Sequence, residues 1–356
     1  MIMTGHTDII RALIKIDERR CVSSSDDGVI IVWDYDVGES LFILEGHTGP
    51  VTAFLYKGDT LISGSVDKSL RIWDLNTGEC KRVINNSHDG GIKSMVDLGD
   101  GKFCSGGNDK FLRIWMYNGD LCGKIERVEN AENMNCMLAI SKDQILVGSN
   151  SPILNVYRTD TLKFSHRLTT HRESIRCFIN INDSCFASGS LDGSIVMWKK
   201  DNFETQTILY YPATYISKKM NNFTESVNHF LVIGKRYLAA CIDKGFKIFD
   251  TETGYCVVDN PKAHESSVHS IICVSGGTRF VTASTDAQLR FWGTKGDFNF
   301  LEPEENKSRK KTKAYYQPVL LGEMFVHTDQ VKFLIKISEN SFISGGHDKI
   351  VVLWKD

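Results

Sequence analysis

The six tryptophans of this chain recur at a nearly constant interval, and this repeat constrains the fold more than any other feature. They are Trp33, Trp73, Trp115, Trp198, Trp292 and Trp354. Tyr157 and Phe249 stand where the interval skips a tryptophan, so the chain contains eight units. Successive aromatics lie 40 to 43 residues apart, except across two longer steps that end at Phe249 and Trp354. A chain of this length with such a period is expected to assemble repeated substructures instead of one ordinary core.

Each complete unit carries three polar residues at fixed distances from its tryptophan. A His lies 26 to 28 residues before the Trp, a Ser or Thr ten residues before it and an Asp six residues before it. An indole N–H, a hydroxyl, an imidazole and a carboxylate can satisfy one another's hydrogen bonds when buried. We therefore predict six structural tetrads that fix the geometry of their units. The tetrads are His6, Ser23, Asp27 and Trp33; His47, Ser63, Asp67 and Trp73; His88, Ser105, Asp109 and Trp115; His171, Ser188, Asp192 and Trp198; His264, Thr282, Asp286 and Trp292; and His327, Ser344, Asp348 and Trp354.

The fourth and sixth units lack this polar set. Tyr157 and Phe249 replace the tryptophan, Val147 and Ala239 replace the hydroxyl residue, and no His stands at the expected place. Their apolar runs still predict β-strands. We expect both units to fold without the polar network.

The recurring His, Ser or Thr, Asp and Trp resemble the WD-repeat family, whose members are β-propellers with four-stranded antiparallel blades. The resemblance implies an all-β fold of eight blades, with seven as the fallback, in a single domain over residues 1–356. In this family the fourth strand of one blade precedes the next repeat, so the last blade takes its outer strand from the N-terminus. Only residues 1–4 precede the first repeat, and we expect that strand to be short.

Two insertions interrupt the period, and loops longer than a family's norm often carry binding specificity. Residues 212–225 lengthen the connection into the sixth blade. Residues 293–318 form a charged loop between the third and fourth strands of the seventh blade, and this loop passes from acidic to basic. Its basic residues Arg309, Lys310 and Lys311 are candidates for partner binding. A nuclear-import signal, a contact for acidic lipid and a plain solvated loop are the alternatives.

A second group of candidate partner-binding residues follows the repeat histidines by five positions. This position is cationic in four units, as Arg11, Lys93, Arg176 and Lys332. If these side chains surround one mouth of a central channel, they attract an acidic segment of a partner. The formal net charge of the whole chain is -2, which offers no general cationic field for nucleic acid.

The sequence contains no pattern that predicts catalysis or a bound metal. Ser, His and Asp recur at one phase with Trp in six units, which a catalytic triad does not require. The ten cysteines are scattered and lack metal-ligand spacing. We expect no enzymatic activity, cofactor, metal or small-molecule substrate. The absence of a signal-peptide pattern and of a long apolar run favours a cytoplasmic protein.

Several segments go beyond the generic repeat and resemble the family of WD repeat-containing protein 41. They are residues 6–48, SGGNDKFLRIW, ININDSCFASGSLDGSIVMWK and KAHESSVHSI. The resemblance implies a non-catalytic scaffold subunit that binds a complex of two longin/DENN-domain proteins. It also implies a part in autophagy, the lysosomal nutrient response and small-GTPase regulation, with recruitment to the lysosomal surface. The alternative is a substrate-receptor propeller of a cullin-type ubiquitin ligase, although the residues after Trp33 and Trp73 lack the WDxR sequence common in such receptors.

Overall fold

The strands form eight four-stranded antiparallel sheets, which confirms the predicted β-propeller of eight blades. The computed structural model describes residues 1–125, 133–210, 225–296, 298–301 and 316–355. Most of the insertion at 212–225 and the central part of the charged loop, with Arg309, Lys310 and Lys311, lie outside these residues. Within the described ranges, one 3₁₀ turn occurs at Ser275–Gly277, and no helix is long and apolar enough to cross a membrane.

Seven sheets use four successive strands, and the eighth combines three strands with β1. The first four sheets contain β2 (Ile10–Lys15), β3 (Arg20–Ser25), β4 (Ile30–Asp34) and β5 (Glu39–Leu44); β6 (Val51–Lys57), β7 (Thr60–Ser65), β8 (Leu70–Asp74) and β9 (Cys80–Ile84); β10 (Ile92–Gly99), β11 (Lys102–Gly107), β12 (Leu112–Met116) and β13 (Leu121–Ile125); β14 (Met134–Ser141), β15 (Gln144–Ser149), β16 (Leu154–Arg158) and β17 (Lys163–Leu168). The last four contain β18 (Ile175–Asn180), β19 (Cys185–Ser190), β20 (Ile195–Lys199) and β21 (Thr205–Tyr210); β22 (Val227–Ile233), β23 (Tyr237–Ile242), β24 (Gly245–Asp250) and β25 (Cys256–Asn260); β26 (Val268–Val274), β27 (Arg279–Ser284), β28 (Leu289–Thr294) and β29 (Pro318–Met324); β30 (Val331–Lys336), β31 (Phe342–Gly346), β32 (Val351–Trp354) and β1 (Ile2–Met3).

The residues group into two compact units. The first comprises residues 1–176 and 349–352, and the second comprises residues 177–348 and 353–356. One core cluster of the first unit packs Val32 and Val51 against Trp73. A cluster of the second unit packs Phe246 and Phe280 against Trp292. The single-domain organisation stays a prediction.

The outer strand of the eighth sheet comes from the N-terminal residues and is short, as predicted. Ile2 pairs with Val352, and Met3 pairs with Val351. Met3 is buried, whereas Ile2 is exposed. The register of β1 against β32 is therefore defined by two residue pairs and by the buried side chain of Met3.

The second and third strands of the sheets are mostly buried, which explains their apolar and small residues. In β4 every residue is buried, whereas the outer strand β5 is mostly exposed. Small residues in the second strand let the next sheet approach closely. A Cβ at Gly64 would lie 2.7 Å from Ile92 Cγ2, and a Cβ at Gly189 would lie 2.6 Å from Val227 Cγ1. Glycine is required at these two positions because larger side chains would push the inner strand of the next sheet away.

The turn between the second and third strands predicts a simple stabilising substitution. The residue that follows the tetrad Asp in this turn has a positive φ. It is a glycine in the first sheet, Gly28 with φ 78°, but a lysine in the second, Lys68 with φ 72°. A left-handed backbone strains an L-residue more than glycine. We expect Lys68→Gly to raise the free energy of unfolding by about 0.5 to 1 kcal/mol in urea titrations. The reverse change, Gly28→Lys, should destabilise the protein because its Cβ would lie 2.7 Å from the His47 carbonyl oxygen.

Candidate partner-binding surface

The second sheet shows how the four side chains of a tetrad contact one another. Trp73 donates its indole N–H to Ser63 Oγ at 2.8 Å. Ser63 Oγ lies 2.8 Å from His47 Nε2, and His47 Nδ1 lies 2.8 Å from Asp67 Oδ2. Because a carboxylate only accepts hydrogen bonds, Nδ1 carries a proton, and in this tautomer of the neutral imidazole Nε2 accepts the hydroxyl proton of Ser63. Asp67 also accepts the backbone N–H of Thr48 at 3.0 Å, so the network connects the loop after the histidine to the turn beyond Ser63.

The same geometry recurs in four further sheets. The hydroxyl oxygen lies 2.7 Å from the imidazole Nε2 in the pairs Ser23–His6, Ser105–His88, Thr282–His264 and Ser344–His327. In the fifth sheet, Trp198 donates to Ser188 at 2.8 Å, and His171 and Asp192 are both buried. The repeated hydrogen bonding gives these residues a structural role.

In the first and third sheets, the tetrad electrostatics favour a neutral imidazole beside an ionised carboxylate. Burial lowers the pKa of His6 and His88, and the neighbouring carboxylates offset only part of this effect. Burial alone would raise the pKa of Asp286, but the hydrogen bonds from His264 and from the backbone N–H groups of Gln288 and Glu265 lower it to about 2. These groups hold each other in one ionisation state, which suits a fixed network better than a proton carrier.

The fourth and sixth sheets form without the polar network. Val147 and Tyr157 are buried in one apolar cluster of the first unit. In the second unit, Ala239 and Phe249 are fully buried on β23 and β24. Apolar contacts at these positions remove the need for a hydrogen-bonded hydroxyl.

The four candidate cations lie at equivalent places. Each is the second residue of the inner strand of its sheet, which is the edge strand opposite the outer strand, namely β2, β10, β18 or β30. Arg11 donates its Nε to Asp26 Oδ1 at 2.7 Å. Its charge is therefore largely balanced within the first sheet. Lys93 and Arg176 are exposed, and Lys332 is partly buried. Lys93 and Arg176 thus present more accessible charge to a partner than Arg11 does.

Other sheets use this same inner-strand position for hydrogen bonds to the next inner strand. Thr52 Oγ1 donates to the Ile92 carbonyl oxygen at 2.6 Å. Asn228 Nδ2 donates to the Val268 carbonyl oxygen at 2.9 Å. The sequence analysis did not predict these contacts. The presence of Thr, Asn or His at a repeat position that is cationic in other units could have indicated them.

An aromatic cluster made of Tyr237, Phe280, Phe298, Phe300 and Tyr316 fixes the two described ends of the charged loop. Phe298 stacks on Tyr316 with ring centroids 4.0 Å apart. Buried Phe300 meets Tyr237 at 5.2 Å and Phe280 at 5.3 Å. The loop therefore leaves and rejoins the second unit at fixed positions. The sequence FNF at residues 298–300, just before the acidic residues, could have indicated this aromatic cluster.

The described side chains do not point to metal binding. Within the described ranges, no group of three or more His, Cys, Asp or Glu side chains is arranged to hold a metal ion. All ten cysteines are free thiols. The clearest shared chemistry of the repeat residues is the hydrogen bonding inside the tetrads.

Comparisons with known proteins agree with the propeller geometry. The WDR41 β-propeller family matches residues 1–306. The chain is 23% identical to mouse and to human WD repeat-containing protein 41, and each match covers 100% of this chain and 86% of the relative. The crystal structure of the computationally designed Ika8 protein is similar in fold, with a TM-score of 0.77 and 20% identity over 100% of this chain and 98% of that one. From its repeat, its fold and its family match, the chain belongs to the WDR41 β-propeller family.

Proposed function

We propose that this chain is a non-catalytic scaffold subunit that binds a pair of longin/DENN-domain proteins in the cytoplasm. Its assembly acts in autophagy, the lysosomal nutrient response and small-GTPase regulation, and recruitment to the lysosomal surface occurs through protein partners. The observation that carries the proposal is the match to WD repeat-containing protein 41 along the entire chain. A match this long includes the two sheets without tetrads as well as the six with them.

Two structural observations support a binding role. The recurring Ser, His and Asp side chains are occupied by one another in the tetrads, which leaves them poorly placed to act on a substrate. The aromatic cluster also fixes both ends of a long charged loop. Rigid supports that present loops are typical of binding proteins.

Affinity purification of the tagged chain from its own cells tests this function. We expect two longin/DENN-domain proteins to co-purify in amounts comparable to the chain, and cross-linking should join them to it. An unrelated tagged WD-repeat propeller serves as the control. Recovery of a cullin adaptor without any DENN-domain protein would overturn the proposal in favour of the ubiquitin-ligase alternative.

Charge reversal at Lys93 tests whether the inner-strand cations attract an acidic partner segment. We expect Lys93→Glu to slow association with the co-purified partners by roughly three- to tenfold at low salt, because exposed charges mainly affect the encounter rate. Surface plasmon resonance at two salt concentrations measures this effect. Arg176→Glu and Lys332→Glu extend the series.

Lys102→Glu is the matched control for that experiment. Lys102 is exposed on β11 of the same sheet, where it follows the hairpin at the other end of β10. Its charge reversal should leave the association rate unchanged. Equal rates for the wild-type protein and the combined Lys93, Arg176 and Lys332 variant would remove these cations from the binding surface.

A further inference from the structure

Strand β29 is an edge strand with three exposed apolar side chains. It is the outer strand of the seventh sheet and pairs only with β28 among the described strands. Val319, Leu320 and Leu321 in this strand are 41%, 44% and 48% exposed, and Phe325 just beyond it is 66% exposed. An edge strand also presents unpaired backbone N–H and C=O groups, which another extended chain can bind.

Several other outer strands carry charges that discourage such pairing. Lys81, Lys124, Lys163 and Asp259 lie within β9, β13, β17 and β25, respectively. The single charged residue of β29 is Glu323, whose carboxylate lies 2.8 Å from Arg290 Nε on the neighbouring strand. The carboxylate is therefore neutralised within its own sheet, and β29 lacks the protection that charged edge residues give.

A cleft with aromatic walls adjoins β29. It has a volume of about 440 Å³, and its lining includes Phe291, Met324, Phe342 and Trp354. Phe342 and Trp354 stack with ring centroids 5.8 Å apart. A cleft in the first unit is different, because its lining includes the ion pair between Lys142 and Asp100. The cleft beside β29 can accept an apolar side chain.

Arg279 gives this cleft a positive charge. It lines the cleft, and its guanidinium lies over the Phe291 ring at 5.9 Å. No carboxylate pairs with Arg279 among the residues that the structure describes. Glu323, the acidic residue in the lining, is held by Arg290. A ligand that combines an apolar side chain with a carboxylate complements this surface.

We propose that β29 and its cleft bind an extended segment of a protein partner as a fifth strand of the seventh sheet. The segment has apolar residues at alternating positions, places one of them in the cleft and directs an acidic side chain to Arg279. This surface deepens the proposed function, on which it rests, by assigning a place and a chemistry to one partner contact. Backbone pairing supplies affinity, and the cleft supplies specificity.

Selection from a phage-displayed library of random 12-residue peptides tests this inference on the full chain. The selected peptides should share alternating apolar residues and one Asp or Glu. Synthetic copies of them should slow hydrogen exchange of β29 amides, as expected when an added strand covers those groups. Failure to enrich such peptides, or protection confined to another sheet, would overturn the inference.

Four variants then locate the contacts. Arg279→Glu and Leu320→Lys should each weaken peptide binding at least tenfold, whereas Arg279→Lys should stay within about threefold of wild type. Leu41→Lys is the matched control because Leu41 is 41% exposed on the outer strand β5 and should have no effect. Thermal midpoints confirm that the variants fold. Unchanged binding by Arg279→Glu or Leu320→Lys would contradict the inference.

Two further outcomes separate this inference from its rivals. Light scattering that detects a dimer abolished by Leu320→Lys would assign β29 to a second copy of this chain and overturn the peptide proposal. If the longin/DENN-domain pair co-purifies but the selected peptides fail to bind at β29, the proposed function stands and the docking surface falls. If the selected peptides bind at β29 but the longin/DENN-domain pair does not co-purify, the docking surface stands and the proposed function falls.

Discussion

Replacing Ser63 with alanine is expected to lower the free energy of unfolding by about 3 kcal/mol. The hydroxyl accepts the indole N–H of Trp73 and donates to His47, and its side chain is fully buried. Its removal leaves a buried donor and a buried acceptor unsatisfied, each at a cost of roughly 1 to 3 kcal/mol. Urea unfolding followed by tryptophan fluorescence measures the change.

Three controls separate hydrogen bonding from packing in that experiment. Ser63→Thr should retain most of the stability, since Thr282 makes the same two contacts in the seventh sheet. Trp73→Phe combined with Ser63→Ala should cost less than the sum of the two single changes, because the orphaned indole donor is gone. Ala239→Ser adds a hydroxyl where Phe249 offers no N–H, and it should not stabilise the sixth sheet. Equal stability of Ser63→Ala and wild type would mean that the tetrad makes no net contribution.

The repeat could be predicted from the sequence because each tetrad has fixed internal spacing. Ser63 and Trp73 occupy facing strands of one hairpin, so ten residues of separation place them in contact in every complete sheet. The eight-blade count also followed from the aromatic positions, even at Tyr157 and Phe249. Local spacing determines such features, and one sequence therefore suffices to find them.

The missed features depend on contacts between distant segments. Arg11 has the same repeat position as Lys93, yet only Arg11 faces an acidic residue, Asp26, across its hairpin. The aromatic cluster joins Phe300 to Tyr237, which belongs to the preceding sheet. Neither relation has a fixed sequence period. Binding surfaces are harder to predict than the fold because they use the positions that vary between repeats.

Acid is expected to destabilise the protein between pH 6.5 and 4, and His229 is the residue with the clearest effect. Burial lowers its pKa to about 4. His229 Nδ1 is buried without a hydrogen-bond partner among the described residues. In the unfolded chain the imidazole protonates near pH 6.5, so the unfolded state binds a proton first as the pH falls. A difference of about 2.5 pKa units corresponds to about 3 kcal/mol of stability, which is present above pH 6.5 and lost by pH 4.

The substitution His229→Ser tests this assignment through the slope of stability against pH. Ser94 and Ser270 occupy the equivalent position after the bulge in the third and seventh sheets, so serine suits the site. Urea titrations at pH 7 and pH 4.5 should show a smaller change in the free energy of unfolding for His229→Ser than for wild type. His166→Ser, at an exposed position of β17, should show the same change as wild type.

The lowered pKa values of His6 and His88 contribute to the same loss of stability in acid. This contribution should remain in the His229→Ser variant. The Asp286 carboxylate of the seventh sheet affects the stability at lower pH. Asp286, with a folded pKa of about 2, stabilises the fold above the unfolded value near 3.9 and loses that contribution as the pH falls towards 2. Two successive decreases in stability, one from His6, His88 and His229 and one from Asp286, are therefore expected. A flat profile of stability between pH 6.5 and 4 would contradict the neutral state assigned to His6, His88 and His229.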